Sequence, residues 1–364
     1  MRRAVLPSFL ISRAVVFALM LIGGVALVSV GDDNIRSLQV RRGVSLYATL
    51  SELALSGDAT GYREIAMEGY TRPQNRAYFP GFPLAWRAVA TFTHEYPVTG
   101  LLLSNVCFLG ALPVLYLFCL RIGLTPGAAE RAVFYACFWP ASHFFSLPLS
   151  ESLFLLLSVV SVYLATCEKW VLAGLFGIAT TATRLVGLML IPTLLLMWWQ
   201  RYRRLSPAAL LTTVPFLGLA GFCVYLSAAY GDAIGFLHTQ SLYGHSLRWG
   251  TALLDYIRSP RIFHAWHFYP VHVASIVIAA MAVLALVRHS QIPLAVYLGG
   301  CVAIPLCSDL ASMTRYAMGS FPLFIGVAYL TDNPTVDTQA RAVCVSLLAV
   351  MALACGFHLG LAMT

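Results

Sequence analysis

Charge is what this chain has least of. Only 10% of its 364 residues are Asp, Glu, Lys or Arg, against about 25% in an ordinary soluble domain. Lysine is nearly missing: of the 23 basic residues, Lys169 alone is not arginine. Cysteines at paired loop spacing are missing too. The nine present, among them Cys107, Cys119, Cys137, Cys223, Cys301 and Cys355, fall almost entirely inside apolar runs. They read as small core residues, with no disulfides expected. No internal repeat or low-complexity tract is evident. These absences exclude a soluble globular fold, a disordered chain and a disulfide scaffold.

What is present is apolar surface, with 59% of the residues hydrophobic. The pattern predicts an all-α, polytopic integral membrane protein in one domain, residues 1–364. Met1-Arg2-Arg3 precedes an apolar run from Phe9 to Val30. That run is longer than a signal-peptide core and no small-residue cleavage site follows, so a retained first helix is expected. Further runs lie at 98–120, 132–147, 150–167, 170–183, 185–199, 209–230, 271–288, 291–307, 314–330 and 342–363. They give about eleven transmembrane helices.

The net charge of +8 comes from scattered arginines, without the basic stripe that nucleic acid requires. It fits the arginine excess of short cytoplasmic loops. Arginine and alanine richness with one lysine also fits a high-GC bacterial genome. An N-terminus in the cytoplasm places Arg121, Arg131, Lys169, Arg201–Arg204, Arg288 and Arg341 all on the cytoplasmic side of the cell membrane. That assignment requires 170–199 to be two short passes that meet near Thr183-Arg184. Helices of about 15 residues reach only about 22 Å, so this turn would lie below the surface and must line a cavity. The loop 31–97 carries seven arginines against seven acids. It has no basic excess to retain it and is expected outside. Within it, Ser45–Leu55 reads as a short amphipathic helix, and Tyr62 to Gly69-Tyr70 as a second with a glycine stop. The aromatic, proline-broken block Tyr78–Trp86 suits the membrane interface, where the loop could form a lid.

A charge in or beside a span is costly and needs a reason. With this topology the unusual polar groups gather on the extracytoplasmic face. They are Asp58, Tyr62 and Glu64 in the first loop, Ser150-Glu151, Thr183-Arg184, and Asp309, Arg315 and Tyr316. Each also has a bland explanation. Asp58 could be merely solvated or cap a helix, and Glu151 could serve the helix dipole. Asp309 and Arg315 could pair structurally across a turn. The second external loop, 231–270, holds His238, His245, His264 and His267, with His272 just beyond it. No acid or cysteine partner has matching spacing, and Trp266, Phe268 and Tyr269 mark an interfacial belt, so no metal site is expected.

Several blocks in order resemble the PIG-V-type mannosyltransferases. They are Asp58-Ala59-Thr60-Gly61-Tyr62-x-x-Ile65-Ala66-x-x-Gly69-Tyr70, then Tyr78-Phe79-Pro80-Gly81-Phe82-Pro83-Leu84, Leu103-Ser104-Asn105 and Pro140-Ala141-Ser142-x-Phe144-Phe145-Ser146. Ser150-Glu151-Ser152-Leu153-Phe154, Ala182-Thr183-Arg184-x-x-Gly187 and Arg315-Tyr316-x-x-x-x-Phe321-Pro322-Leu323 follow. The chain departs from the pattern at Gly57, where the family usually has Trp, and at Gly81, where a second aromatic or leucine is common.

The resemblance implies a GT-C membrane glycosyltransferase whose long first external loop carries the catalytic acid. Its reaction would be inverting transfer, of mannose by family, from a polyprenyl-phosphate donor to a hydroxyl of a lipid-linked or cell-envelope acceptor. No nucleotide sugar and no cofactor would be used, and membrane lipids and a glycan or glycolipid acceptor would be the partners. Asp58 then becomes the general base. Arg184 and Arg315 become the phosphate cations, with Tyr62, Ser150, Glu151, Tyr316 and Asp309 lining the substrate. A transporter or lipid flippase is the competing class, but it should show an inverted repeat or a midplane polar cluster. A non-catalytic subunit that kept the fold, working beside a partner subunit, is the other alternative left by the missing Trp.

Overall fold

A computed structural model describes residues 2–30, 51, 55, 57–240, 251–260, 263–264, 267–310 and 312–357. The helix expected over Ser45–Leu55 lies almost wholly outside these residues, as do His245 and Trp266. The described chain is helical apart from one tiny antiparallel pair, Phe263–His264 with His267–Phe268. It begins with α1 (Arg2–Val30) and, in the first loop, α2 (Asp58–Glu68) and α3 (Gly81–Thr93). α4 (Tyr96–Arg121), α5 (Pro126–Phe138), α6 (Glu151–Thr166), α7 (Trp170–Thr181), α8 (Leu190–Tyr202) and α9 (Phe216–Tyr230) follow. The second loop carries α10 (Gly235–His238) and α11 (Thr251–Arg258). The chain then returns through α12 (Tyr269–Arg288), α13 (Ile292–Leu306), α14 (Met313–Gly319), α15 (Pro322–Leu330) and α16 (Pro334–Gly356).

Among the described residues the apolar runs are mostly helical, but not each is one long helix. Among the described residues, four stretches are long and apolar enough to cross a membrane alone: Val5–Val25, Tyr96–Arg121, Tyr269–Arg288 and Pro334–Gly356. The run 209–230 is a 3₁₀ segment (Pro207–Thr213) and α9, bent by 56° at Pro215. The run 314–330 breaks into α14 and α15 because Pro322 cannot continue a helix but suits the first turn of a new one. The run 170–199 is two short helices, α7 and α8, with the turn at Ala182–Arg184 followed by a 3₁₀ segment, Leu185–Met189. α16 starts eight residues before its apolar run, because the Asn333 side chain accepts from the N–H groups of Thr335 and Val336.

The bundle has two distinct ends. At one, Arg201 pairs with Glu168 at 2.6 Å, Arg121 donates to the Thr166 carbonyl, and Gln291 donates to the Ile122 carbonyl. Arg131 joins the same end through Asp332 at 2.6 Å. α1 and α16 lie side by side with their C-terminal ends together. Small residues let them touch: a Cβ on Gly356 would run into the Met20 carbonyl. At the other end, the first loop packs onto α9 and α10 through Ile65, Tyr70, Phe79, Phe222, Leu226 and Phe236. The Tyr230 hydroxyl donates to the Tyr70 carbonyl at 2.7 Å, and Arg76 stacks on the Tyr230 ring. The Tyr78–Trp86 block turns most of its aromatic rings inward, with Leu84 left exposed. Phe82 and Trp86 are fully buried between α2, α3 and α4, where Phe82 meets Tyr62 edge-on.

Candidate active site

At the end of the bundle that carries the first loop, four charged side chains from four distant segments meet. Asp58 opens α2, Glu151 opens α6, Arg184 follows α7 and Arg315 lies on α14. Arg315 is the centre. Its Nη1 lies 2.6 Å from Asp58 Oδ2, while its Nε and Nη2 both lie 2.7 Å from Glu151 Oε1. Arg184 Nη1 reaches the same Glu151 oxygen at 2.7 Å. Two guanidinium groups thus face two carboxylates and the cluster is charge-neutral. That balance is what allows it to exist at the end of an apolar bundle.

The cluster is lopsided in exposure. The Glu151 side chain is 0% exposed, against 38% for Asp58. Glu151 accepts three N–H groups on Oε1 and, among the described residues, none on its buried Oε2. Glu151 therefore anchors the arginines, and Asp58 is the carboxylate that an incoming molecule can reach. Rings fix the cations: Arg184 lies 4.8 Å over Tyr316, and Arg315 5.1 Å over Phe144. Tyr62 donates to Ser150 Oγ at 3.0 Å, and Arg184 Nη1 approaches the same hydroxyl at 3.4 Å. Ser150 makes no side-chain cap to α6, so its hydroxyl belongs to the cluster and not to the helix end.

The sequence gathered Asp58, Tyr62, Ser150, Glu151, Arg184, Arg315 and Tyr316, and the geometry brings these seven together. Glu64 is turned away, held by Arg72 at 2.8 Å and by Asn75. Arg315 spends its ion pairs on Asp58 and Glu151, while Asp309 Oδ1 accepts from the Leu310 N–H. Tyr78 was not singled out. Its hydroxyl donates to Asp58 Oδ1 at 3.1 Å, so both carboxylate oxygens of Asp58 are held from opposite sides. Its place in the aromatic block was the available signal.

His238 and His272 have other attachments. His238 Nδ1 pairs with Asp232 at 2.9 Å, and His272 Nδ1 meets Thr314 Oγ1 at 2.9 Å. Among the described residues, no three His, Cys, Asp or Glu side chains converge as a metal cage would need.

The two departures have backbone explanations. Gly57 enters α2 at φ 57°, ψ −134°, a region that side-chain-bearing residues avoid. Gly81 donates its N–H to the Ala182 carbonyl at 2.7 Å, and a Cβ there would stand 2.5 Å from Thr183 Oγ1. The first loop is pressed against the turn that carries Arg184.

A crystal structure of the Archaeoglobus fulgidus oligosaccharyltransferase, tethered to an acceptor peptide with an NVT sequon, aligns with a TM-score of 0.40 at 9% identity, over 87% of this chain and 51% of that one. GPI alpha-1,6-mannosyltransferase 2 of Cricetulus griseus is 33% identical over 137 residues, which are 34% of this chain and only 27% of that protein. Residues 44–235, just over half of the chain, match the family described as Mannosyltransferase (PIG-V) and include Asp58, Tyr62, Ser150, Glu151 and Arg184. The chain belongs to the PIG-V mannosyltransferase family.

Proposed function

We propose that this protein is an inverting, metal-independent mannosyltransferase that takes mannose from a polyprenyl-phosphate donor and delivers it to a hydroxyl of a lipid-linked or cell-envelope acceptor. The observation that carries this reading is the half-exposed Asp58, held beside two arginines that a buried Glu151 keeps in place. Asp58 accepts the proton of the acceptor hydroxyl. The acceptor oxygen attacks the sugar's anomeric carbon from the face opposite the phosphate. The carbon–oxygen bond to phosphate breaks, and polyprenyl phosphate departs with the electron pair. General-base assistance of this kind contributes about 10²–10⁴-fold.

The electrostatics favour a monophosphate donor. The cluster is already neutral, so a phosphodiester adds one negative charge, whereas a diphosphate would add two to a site enclosed by protein. A phosphate that engages Arg315 also competes with Asp58 for it, which frees the carboxylate when the donor is in place. The arginine-rich turns at the far end of the bundle support a cytoplasmic N-terminus in the cell membrane, with the site on the extracytoplasmic face. The test is label transfer from polyprenyl-phosphate mannose in membranes with and without the protein, repeated in EDTA. Protein-dependent transfer that survives EDTA is expected; no protein-dependent transfer would reject the donor.

A further inference from the structure

Arg13 sits well inside the apolar first helix and is 4% exposed, yet among the described residues no carboxylate pairs with it. A guanidinium has five N–H donors, and here all are used on neutral oxygens. Nε donates to Ser12 Oγ at 3.3 Å, and Nη1 to the Ser142 carbonyl and Ser146 Oγ, both at 2.8 Å. Nη2 donates to the Cys137 carbonyl at 2.9 Å and to Ser142 Oγ at 2.7 Å. Such an arginine has nothing left for a ligand, so whatever it does, it does through the segment it holds.

That segment is 139–150. α5 stops at Phe138 because Trp139 is extended before Pro140, and α-helix does not resume until Glu151. Between them lies a 3₁₀ turn, Ser142–Ser146, buried throughout. Irregular backbone inside an apolar bundle is tolerated only where its carbonyls find donors. Arg13 supplies them, and Asn105 completes the cradle: its Nδ2 donates to the Ser146 carbonyl, and its Oδ1 accepts from Ser146 Oγ at 3.1 Å. Asn105 of the Leu-Ser-Asn block and Ser142 and Ser146 of the Pro-Ala-Ser-x-Phe-Phe-Ser block thus build the cradle around Arg13. The same segment carries Phe144, beneath Arg315, and leads directly into Ser150 and Glu151. Ser152 Oγ ties the first turn of α6 back to the Phe145 carbonyl at 2.7 Å.

We propose that Arg13 is a positioning residue: its fork fixes segment 139–150 in the one shape that sets Glu151 and Phe144 against Arg315. The proposal rests on the assignment of the Asp58–Glu151–Arg184–Arg315 cluster as the active site.

The test uses the purified full chain in detergent, with Arg13→Lys and Ser142→Ala. Lysine keeps the charge but loses the planar fork, and alanine removes one acceptor. Hydrogen–deuterium exchange should show the peptide covering 139–150 opening on the order of tenfold faster in Arg13→Lys, with peptides from α12 and α13 unchanged. KM for polyprenyl-phosphate mannose, per folded protein, should rise on the order of tenfold; a merely structural role would lower the folded fraction and leave KM alone. Ser142→Ala should shift both readouts the same way by less, and it carries the test if Arg13→Lys loosens the whole bundle. Exchange of 139–150 at the wild-type rate in these variants would overturn the proposal. If wild-type protein transfers no mannose, the assigned function fails, while the exchange measurement still decides what Arg13 does.

Discussion

Arg315 and Asp58 are 257 positions apart in sequence and 2.6 Å apart in space. The pair joins the first loop to a short helix near the end of the chain. It also couples the two halves of the proposed chemistry, since the cation suited to phosphate is the one that restrains the carboxylate suited to a proton. Neither residue is free to drift: Tyr78 holds the other oxygen of Asp58, and Glu151 holds the other side of Arg315.

Asp58→Asn should separate chemistry from structure. Arg315 keeps both contacts to Glu151, but the cluster loses its charge balance around a buried Arg315, so some fall in thermal midpoint is expected and rates are compared per folded protein. Transfer should fall on the order of a hundredfold or more, because asparagine cannot take a proton. Asp58→Glu should be intermediate, its oxygen displaced by about 1 Å. Initial rates with labelled donor check this, and near-wild-type transfer by well-folded Asp58→Asn would move the search for the base elsewhere.

Arg184→Lys keeps the charge but loses the planar face that lies over Tyr316 and the Nη1 group that meets both Glu151 and Ser150. Donor KM should rise markedly while the protein still folds. Normal turnover at low donor concentration would show that Arg184 does not clamp phosphate.

Much of this was legible because membranes make charge rare. Asp58, Glu151, Arg184 and Arg315 stood out against an apolar background, and the topology that gathered them came from arginines elsewhere. The breaks inside apolar runs were harder to read. Pro322 splits 314–330, but periodicity alone does not say whether a proline kinks one span or starts another helix. Arg13 is hidden for the opposite reason: it lies inside a continuous apolar run and is masked by the basic flank of Arg2-Arg3, although its depth in that run is itself the signal. Its partners at Cys137, Ser142 and Ser146 lie more than a hundred residues away, and only packing reveals them.

The two ends of the bundle give a direct topological test. In a cysteine-depleted background, a thiol at position 203 should be shielded from an impermeant maleimide added to intact cells, and one at position 58 should react. The Arg201–Glu168 pair and the Asp58–Arg315 pair mark opposite ends. Labelling of both positions from the same side would break the two-pass assignment of 170–199.

Gly81 offers the sharpest test of how the first loop meets the bundle. Its missing side chain lets the start of α3 close on the turn 182–184: a Cβ would stand 2.5 Å from Thr183 Oγ1 and 2.9 Å from the Ala182 carbonyl. The second contact is with backbone and cannot be relieved by a rotamer change. Gly81→Ala should therefore cost about 1–3 kcal/mol, as overpacking does, and Gly81→Leu more. Because Arg184 follows Thr183 directly, the strain should also raise donor KM. Gly127→Ala is the control, since that glycine lies on α5 with open space around it, and alanine there should be neutral or slightly stabilising. Thermal midpoints in detergent and donor KM, measured on both variants, decide the matter. Equal behaviour of the two would mean that the loop and the Arg184 turn do not touch as described, and Gly81 would then be an incidental departure from the family pattern.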